Sequence, residues 1–484
     1  MRILLIEDDN NWKTGFKEEL RKFFGELIIL DASNKIDAFA LLNANTTNQA
    51  VHLIILDLHL PSEPGSNDES VQHGLDIHKY IVEELPRIPL LVLSGEAQSA
   101  HVGELMKQPQ LGKLFGGEKI NLCGFADKAS PLPAIEFIRG VFDNLAAVSK
   151  IKLNCGFELI RLNDEENIVL KSFVRGQTCI SAQLALLTDG LSGTRVFLLT
   201  LYSASGALTL NAVAKLGPTT EIFAEAAKHS LLGSLRIGCV PHLIEPEPVA
   251  YGRVSGLFMR NADGHEKDLF DCIRNNQSNA VKIVELLQSD FSQLVAAAAT
   301  VSGPPALQML RNFFDATVSS DARSKIPTDI AIDLVFEVLK NATIVWGRQH
   351  GDLHAANVLV NDQGTRAILI DCADIGERPI CFDMIYLELM LFFHPKSVKL
   401  FPKIVQGTST SNWPEMIPHY KDVQVAEFVD ACRNWQNKAV GATSQEVMYF
   451  IALCISLRQL KYSDISTQVA LNIARACYKK ILGP

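Results

Sequence analysis

The sequence lacks the features that mark several common classes of protein. Its 484 residues contain no apolar run of membrane-spanning length, and its ten cysteines are scattered without a Cys-x-x-Cys pair. The formal net charge is −9, so no broad basic field favours nucleic acid as a partner. No charged leader with a cleavage site precedes the first predicted strand. These absences argue against a membrane, zinc or redox protein and are typical of the reducing cytoplasm, where we expect this chain.

Continuous apolar strands alternate with amphipathic helices along the first third of the chain. Strands are predicted at 2–6, 52–56, 89–93 and 122–127, and polar residues stand where the strands end. These polar residues are Asp8 and Asp9, Asp57, Ser94, and Lys128. The pattern predicts a doubly wound parallel sheet that carries its functional residues at the carboxyl ends of its strands.

This set of residues resembles the receiver domain of bacterial response regulators over nearly all of residues 1–148. The resemblance implies that Asp57 accepts a phosphoryl group and that Asp8 and Asp9 hold Mg²⁺ beside it. Three carboxylates that converge on one site repel each other unless a divalent cation lies among them. The alternative for Asp8 and Asp9 is a cap on the helix that follows them.

The resemblance also implies a switch around the phosphorylated aspartate. Lys128 would pair with the phosphoryl oxygens, Ser94 would hydrogen-bond the new phosphate, and Phe125 would turn inward with it. A cognate histidine kinase or another phosphodonor would supply the phosphoryl group. Because receivers often dimerise, a homodimer through this domain stays open. The polar loop between Pro61 and Gly74 departs from the pattern because it is longer than receivers usually have.

The most specific pattern of the second half lies between His350 and Asp371. Two short apolar runs, 358–360 and 367–370, flank a polar turn and predict a β-hairpin. Its open end gathers Asp352, Asn357 and Asp371. Phosphoryl transfer needs one carboxylate to deprotonate a hydroxyl, and an amide oxygen and a second carboxylate to hold Mg²⁺. The alternative is a polar hairpin whose Asp and Asn only cap turns.

The run His-Gly-Asp-Leu-His-x-x-Asn-Val-Leu, followed by Ile-Asp, resembles a known catalytic loop. It is that of the aminoglycoside phosphotransferase and choline kinase branch of the protein-kinase-like fold. The resemblance implies Asp352 as the catalytic base, and Asn357 and Asp371 as metal ligands, with Mg²⁺ and ATP as cofactors. It also implies that Asp383 braces the loop by accepting backbone hydrogen bonds.

Two further features refine this resemblance. His350 and His354 are expected to support the loop through hydrogen bonds, because a lone histidine beside such a loop is more often a support than a base. Only twelve positions separate Asp371 from Asp383, whereas a eukaryotic-type protein kinase needs a longer segment there to dock a peptide. The spacing therefore favours a small-molecule acceptor.

The middle of the chain carries candidate nucleotide contacts. Gly190 and Gly193 lie in a loop between two predicted strands, where glycine lets backbone N–H groups approach phosphates, although ordinary hairpins need glycines too. Lys215 lies in an apolar strand, where an unpaired ammonium is costly. In the kinase-like family this lysine grips the nucleotide phosphates and a helical glutamate orients it. We prefer Glu225 over Glu221, which could simply favour the helix N-terminus. The alternative for Lys215 is an edge-strand lysine in water.

Together these patterns predict an α/β and α+β chain with a flavodoxin-like receiver followed by a bilobal kinase-like domain. We expect the receiver at 1–148, a β-rich nucleotide-binding lobe at 149–262 and a helical lobe at 263–484. Helical periodicity in the last lobe covers 269–294, 306–318 and 329–345.

The function expected is that of a two-component signalling protein in which the phosphorylated receiver controls a Mg²⁺- and ATP-dependent phosphotransferase. Its acceptor would be a hydroxyl group, most simply on a small molecule. One alternative is a catalytically silent, nucleotide-binding output module that relays the receiver's state to a protein partner. Another is transfer to a protein, against which the short segment before Asp383 argues.

Overall fold

A computed structural model describes most of the chain. The described residues are 1–44, 49–95, 105, 110–155, 160–189, 194–232, 235, 238–262, 264–265, 267–405, 411, 413–415, 417–439, 441 and 443–483. They fall into two compact units, Met1–Ala226 with Leu243–Asn261, and Ala227–His242 with Ala262–Pro484. Within these ranges no helix combines the length and apolar character needed to cross a bilayer.

A parallel sheet opens the first unit. Its strands are β1 (Arg2–Ile6), β2 (Ile28–Ala32), β3 (Leu53–Asp57), β4 (Leu90–Ser94) and β7 (Cys123–Asp127), and the helices along it are α1 (Asn10–Phe24), α2 (Lys35–Asn43), α3 (Val71–Glu84) and α4 (Leu132–Ser149). The spatial order is β2–β1–β3–β4–β7 and every pairing is parallel. This order is flavodoxin-like, and it includes β2, which was not among the predicted strands. A separate antiparallel hairpin, β5 (Leu111–Lys113) and β6 (Lys119–Asn121), precedes β7.

A second sheet follows in the same unit. Its strands are β8 (Lys152–Asn154), β9 (Ser181–Asp189), β10 (Arg195–Tyr202), β11 (Leu208–Pro218), β12 (Val249–Tyr251) and β13 (Val254–Arg260), and its helices are α5 (Asp164–Gly176) and α6 (Thr219–His229). The order is β12–β13–β11–β10–β9–β8, antiparallel except for the β8–β9 pair. Strand β11 is therefore central, and its buried residues alternate with half-buried ones, as expected for a strand in a half-covered sheet.

The two sheets of the first unit share one hydrophobic core. Polar contacts join them where the chain turns from β12 into β13. The hydrogen bonds run from Tyr251 Oη to Val51 O (2.7 Å), from Gly252 N to Pro86 O (3.1 Å) and from Arg253 Nη2 to Leu42 O (3.0 Å). The receiver-like part is thus attached directly to the antiparallel sheet.

The second unit is mainly helical. Its helices are α7 (Leu269–Asn275), α8 (Gln277–Ala296), α9 (Pro304–Thr317), α10 (Ser320–Ser324), α11 (Ile332–Val338), α12 (Phe382–Phe393), α13 (Pro395–Leu400), α14 (Ile417–Asp422), α15 (Ala426–Ala439), α16 (Gln445–Arg458) and α17 (Thr467–Leu482). Its strands are β14 (Lys267–Asp268), β15 (Ala299–Ser302), β16 (Thr343–Gln349), β17 (Val358–Val360), β18 (Ala367–Leu369) and β19 (Gly376–Pro379). Helix α12 is buried on every side and forms the centre of this unit.

The predicted fold class is confirmed, with two local corrections in the second unit. Residues 343–345, predicted to continue a helix, begin strand β16, which pairs with both β15 and β19. Partners on both sides satisfy its backbone groups and outweigh the helical periodicity before it. The predicted helix at 269–294 is two helices, because Asn276 has extended backbone angles (φ −159°, ψ 90°).

Candidate functional site

Strand β16 leads into a loop whose backbone is held by hydrogen bonds to a side chain of helix α12. Asp383, fully buried on α12, accepts hydrogen bonds from His350 N (2.6 Å) and Gly351 N (2.9 Å). Gly351 has φ +85°, and a Cβ atom there would lie 2.2 Å from Asp374 O, so only glycine fits. Burial raises the pKa of Asp383, although the nearby His350 and these two hydrogen bonds oppose the rise. Asp383 thus accepts backbone hydrogen bonds of the loop, as expected for the predicted brace.

Asp352 follows at once, and several groups hold its carboxylate. Tyr386 Oη donates to Oδ1 at 2.7 Å, Asn357 Nδ2 donates to Oδ2 at 3.3 Å, and His354 Nε2 lies 3.5 Å from Oδ2. Burial alone would raise the pKa of Asp352, but His354, the Tyr386 hydrogen bond and Arg458 outweigh it, so the pKa lies below its usual value. An ionised carboxylate held in one orientation is suited to accept a proton from a hydroxyl group.

The hairpin predicted beyond Asp352 is present and aligns two oxygen donors. Val358 pairs with Leu369, and Ile370 N donates to Asn357 O at 2.9 Å, so Asn357 and Asp371 stand near the ends of adjacent strands. Asp371 has left-handed backbone angles (φ 59°, ψ 72°), which turn the chain away from β18.

These donors fit a hard divalent cation. Asn357 Nδ2 donates to Asp352 O at 2.9 Å, so its amide oxygen is the atom that remains to ligate a metal. An amide oxygen and a carboxylate are the ligand types that Mg²⁺ prefers. Asn357 and Asp371 could therefore hold the predicted ion.

The side-chain contact of His350 suits the predicted support of the loop, whereas the supporting role of His354 stays a prediction. His350 is fully buried, and its Nε2 lies 3.2 Å from Ile370 O. Burial lowers the pKa of His354, although Asp352 opposes this shift, so its imidazole tends to be neutral. Within the part of the chain that the structure describes, neither Nδ1 atom has a hydrogen-bond partner.

The candidate phosphate lysine is paired as predicted. Lys215 Nζ lies 3.0 Å from Glu225 Oε1 and 2.8 Å from Oε2, and both side chains are largely buried. Strand β11 lies between β10 and β13, which argues against the edge-strand alternative for Lys215. Glu221, one turn earlier on α6, is exposed. The predicted glycines of the nucleotide loop, Gly190 and Gly193, lie outside the described residues.

A second candidate site lies at the carboxyl edge of the parallel sheet. Lys128 Nζ is 2.7 Å from Asp57 Oδ2 and 2.8 Å from Glu7 Oε2, and both carboxylates are buried. Burial raises the pKa of Asp57, against the opposing effect of Lys128. Burial, opposed by the Lys128 hydrogen bond and reinforced by Asp57, raises the pKa of Glu7 to about 7. Lys128 also lies 5.2 Å from the centre of the Trp12 ring.

The acidic set differs from the predicted one by one residue. Ligand atoms of Glu7, Asp8 and Asp57 all lie within 4.8 Å of one another and could hold a metal ion. Asp9 is instead the N-cap of α1, because its Oδ1 accepts from Asn11 N and Trp12 N. The prediction of Asp9 as a metal holder is therefore corrected to Glu7, and the cap alternative holds for Asp9 alone.

Of the three predicted switch residues, Ser94 and Phe125 lie on the neighbouring strands β4 and β7. Ser94 is the last residue of β4 and lies in register with Asp127 of β7, but its side chain is outside the described part of the structure. Phe125 lies on β7, is half-buried and packs against the shared core. Their switching roles stay predictions.

Sequence analysis missed two residues with direct contacts at these sites. Tyr386 stands three positions after Asp383 on one helix face, a spacing that could have indicated a second contact with the loop. Glu7 directly follows the first apolar strand and has an acidic side chain as Asp8 and Asp9 do. Its burial, which distinguishes it from Asp9, is a tertiary property.

No protein-family model and no curated protein matches the chain. Solved structures similar to it include an aminoglycoside-3'-phosphotransferase of type VIII (17% identity, TM-score 0.33, 58% of this chain and 93% of that chain). Another is a putative aminoglycoside phosphotransferase from Ralstonia eutropha JMP134 (13%, 0.37, 65% and 96%). A third is the N-terminal domain of a response regulator/sensory box/GGDEF three-domain protein from Carboxydothermus hydrogenoformans (17%, 0.21, 30% and 98%).

Proposed function

We propose that the protein is a receiver-controlled phosphotransferase of two-component signalling. A nucleoside triphosphate, ATP in the simplest case, donates its γ-phosphoryl group to a hydroxyl acceptor, and phosphorylation of Asp57 by a histidine kinase or small phosphodonor sets the rate. The observation that carries this proposal is the arrangement around Asp352. A buried loop with a braced backbone presents one oriented carboxylate beside two oxygen donors that suit a divalent cation.

Each residue has a distinct task in this proposal. Asp352 accepts the proton of the acceptor hydroxyl, and Asn357 and Asp371 hold Mg²⁺, which neutralises charge on the phosphates when bound. Lys215, kept in place by Glu225, contacts the nucleotide phosphates as a point charge. The short segment between Asp371 and Asp383 favours a small-molecule acceptor over a peptide.

Control by the receiver is supported by its attachment to the sheet that carries Lys215. The turn at Gly252 bonds to the receiver-like part, and β13 after it pairs directly with β11, Leu257 opposite Lys215. One strand therefore separates the attachment from the lysine. A shift in the receiver on phosphorylation of Asp57 has a short, packed route to the nucleotide-binding sheet.

The test is Mg²⁺-dependent binding and hydrolysis of ATP by the full chain, with and without acetyl phosphate as the receiver's phosphodonor. Wild type and Asp352→Ala are compared. Turnover that needs Asp352 and changes with the phosphodonor supports the proposal. Binding without turnover in both states would instead favour a silent, nucleotide-binding output module that relays the receiver's state. Absence of nucleotide binding would contradict both.

A further inference from the structure

Helix α12 contacts the Asp352 loop twice, with residues one turn apart. Asp383 accepts from the loop's backbone N–H groups, and Tyr386 donates to the side chain of Asp352 itself. Residues at positions i and i+3 of a helix share one face. A single rigid element, buried along its whole length, therefore fixes both the loop and its carboxylate.

The Tyr386 contact is a short, buried hydrogen bond. The side chain is 3% exposed, and the Oη–Oδ1 distance of 2.7 Å is that of a strong bond to a charged acceptor. Burial, and then the charge of Asp352, raise the pKa of Tyr386 well above its usual value, so the phenol keeps its proton and donates. Arg458 of α16 lies 5.7 Å from the centre of its ring.

The two oxygens of Asp352 are consequently unequal. Among the described residues, Oδ1 is engaged by Tyr386 at 2.7 Å, whereas the contacts of Oδ2 are longer, to Asn357 Nδ2 at 3.3 Å and to His354 Nε2 at 3.5 Å. A short hydrogen bond to a carboxylate oxygen stabilises negative charge on that oxygen and makes it a weaker base. Oδ2, whose contacts are longer and weaker, is therefore the oxygen more available to an incoming hydroxyl group.

We propose that Tyr386 is a positioning residue that holds Oδ1 of Asp352 and so assigns Oδ2 as the atom that takes the acceptor's proton. This inference rests on the phosphotransferase function proposed above. In the transfer, the acceptor O–H bond breaks and its proton moves to Oδ2. The oxygen's electron pair forms a bond to the γ-phosphorus of the nucleoside triphosphate. The bond from that phosphorus to the bridging oxygen breaks, and its electron pair leaves with the nucleoside diphosphate.

The decisive experiment is a double-mutant cycle on ATP hydrolysis, in which water serves as the acceptor. Tyr386→Phe removes one hydroxyl and keeps the ring, and we expect kcat to fall about 10- to 100-fold while KM for ATP changes less than about twofold. In an Asp352→Asn background the same substitution should cost almost nothing further, because its effect passes through the Asp352 carboxylate. An equal loss in both backgrounds would overturn the positioning role.

A matched control separates this effect from the general cost of removing a buried phenol. Tyr420 Oη donates to Glu388 Oε1 at 3.0 Å in the same unit and is equally buried. Tyr420→Phe should lower the melting temperature about as much as Tyr386→Phe, yet leave kcat unchanged. If it lowered kcat as strongly, the Tyr386 effect would be one of stability and the proposal would be overturned.

A second cycle needs no turnover. The free energy of unfolding of Tyr386→Phe, Asp352→Asn and the double variant reports directly whether the two side chains interact. If the unfolding cycle shows coupling but the wild-type protein hydrolyses no ATP, the proposed function is contradicted, whereas the contact between Tyr386 and Asp352 is supported. Turnover in a protein without coupling would overturn the inference about Tyr386 and leave the proposed function standing.

Discussion

Two carboxylate sites of this chain are built on opposite plans. In the receiver-like part, a lysine pairs with the central aspartate, since Lys128 Nζ lies 2.7 Å from Asp57, and the same ammonium contacts Glu7. The Asp352 carboxylate is held mainly by neutral donors, the hydroxyl of Tyr386 and the amide of Asn357. One site compensates charge, and the other fixes orientation.

The difference matches what each carboxylate is proposed to do. A carboxylate that gains a phosphoryl group gains negative charge, so a cation must already be close. A general base needs one exposed oxygen at a defined place, and a paired ammonium would occupy it. Burial raises the pKa of Asp57 in spite of Lys128, whereas at Asp352 His354, the Tyr386 hydrogen bond and Arg458 outweigh burial and lower the pKa. The residues around a carboxylate, more than its burial, thus indicate its task.

The strongest test of the comparison removes the receiver carboxylate alone. Asp57→Asn should abolish acid-labile phosphorylation from acetyl phosphate, because the amide oxygen is not a nucleophile for phosphorus. Basal ATP hydrolysis should stay within about twofold, since Asp352 is untouched. The measurement is ³²P incorporation after denaturation, next to a turnover assay. Label that persists in Asp57→Asn would show that the phosphoacceptor has been misassigned.

The second test addresses Asp371, the proposed metal ligand near the Asp352 carboxylate. Asp371→Asn should weaken Mg²⁺-dependent ATP binding on the order of 10- to 100-fold, because an amide is a poorer ligand than a carboxylate. Titration of the full chain with ATP at several Mg²⁺ concentrations measures this. Asp374→Asn, in the same turn and half exposed, is the matched control and should leave the affinity unchanged. Equal affinity of wild type and Asp371→Asn would refute the ligand assignment.

A smaller effect is expected when the receiver-like part loses the ammonium group of Lys128. Lys128→Met leaves Glu7 and Asp57 buried without their ammonium, so the free energy of unfolding should fall by about 1–3 kcal/mol in EDTA. Added Mg²⁺ should restore much of this loss. Chemical denaturation with and without Mg²⁺ measures both.

The exposed pair between Lys17 and Asp31 offers the control for this test. Lys17→Met should change stability by less than about 1 kcal/mol and respond to Mg²⁺ as wild type does. If Mg²⁺ left the Lys128→Met protein unaffected, Glu7, Asp8 and Asp57 would not form a metal site.

The smallest effect concerns the link between the receiver-like part and the antiparallel sheet. Arg253 Nη2 donates to Leu42 O, Asn43 Oδ1 and Tyr80 Oη, so Arg253→Ala removes several bonds between the receiver-like part and the antiparallel sheet. Coupling energies between sites are typically about 1–3 kcal/mol, and we expect the phosphodonor's effect on turnover to shrink severalfold. Basal turnover should change little.

The control for this link is Arg475→Ala, which breaks an exposed pair with Asp329 in the second unit. It should leave the phosphodonor response intact. A full phosphodonor response in the Arg253→Ala protein would show that control follows another route.

Much of this architecture follows from short stretches of sequence. The polar residues after each apolar strand identify the parallel sheet and its functional edge, and the run from His350 to Asp371 specifies a hairpin with its chemistry. Both are local: a strand's burial is visible in its continuous apolar residues, and a tight hairpin brings its two ends together by itself. The pairing of Lys215 with Glu225 could also be anticipated, because a buried ammonium requires a nearby carboxylate.

Other features depended on partners far away in the chain. The sequence Glu7-Asp8-Asp9 offers three acidic residues, and only the folded sheet turns Glu7 inward and leaves Asp9 to cap α1. Strand β16 forms because its backbone N–H and C=O groups pair with two strands that are distant in sequence. Local periodicity cannot reveal such partners. Tyr386 meets Asp352 from 34 positions away. The sequence by itself thus determined which chemical groups are available and the local frame that carries them. Tertiary structure decided which atoms face each other, because long-range packing sets the direction of each side chain.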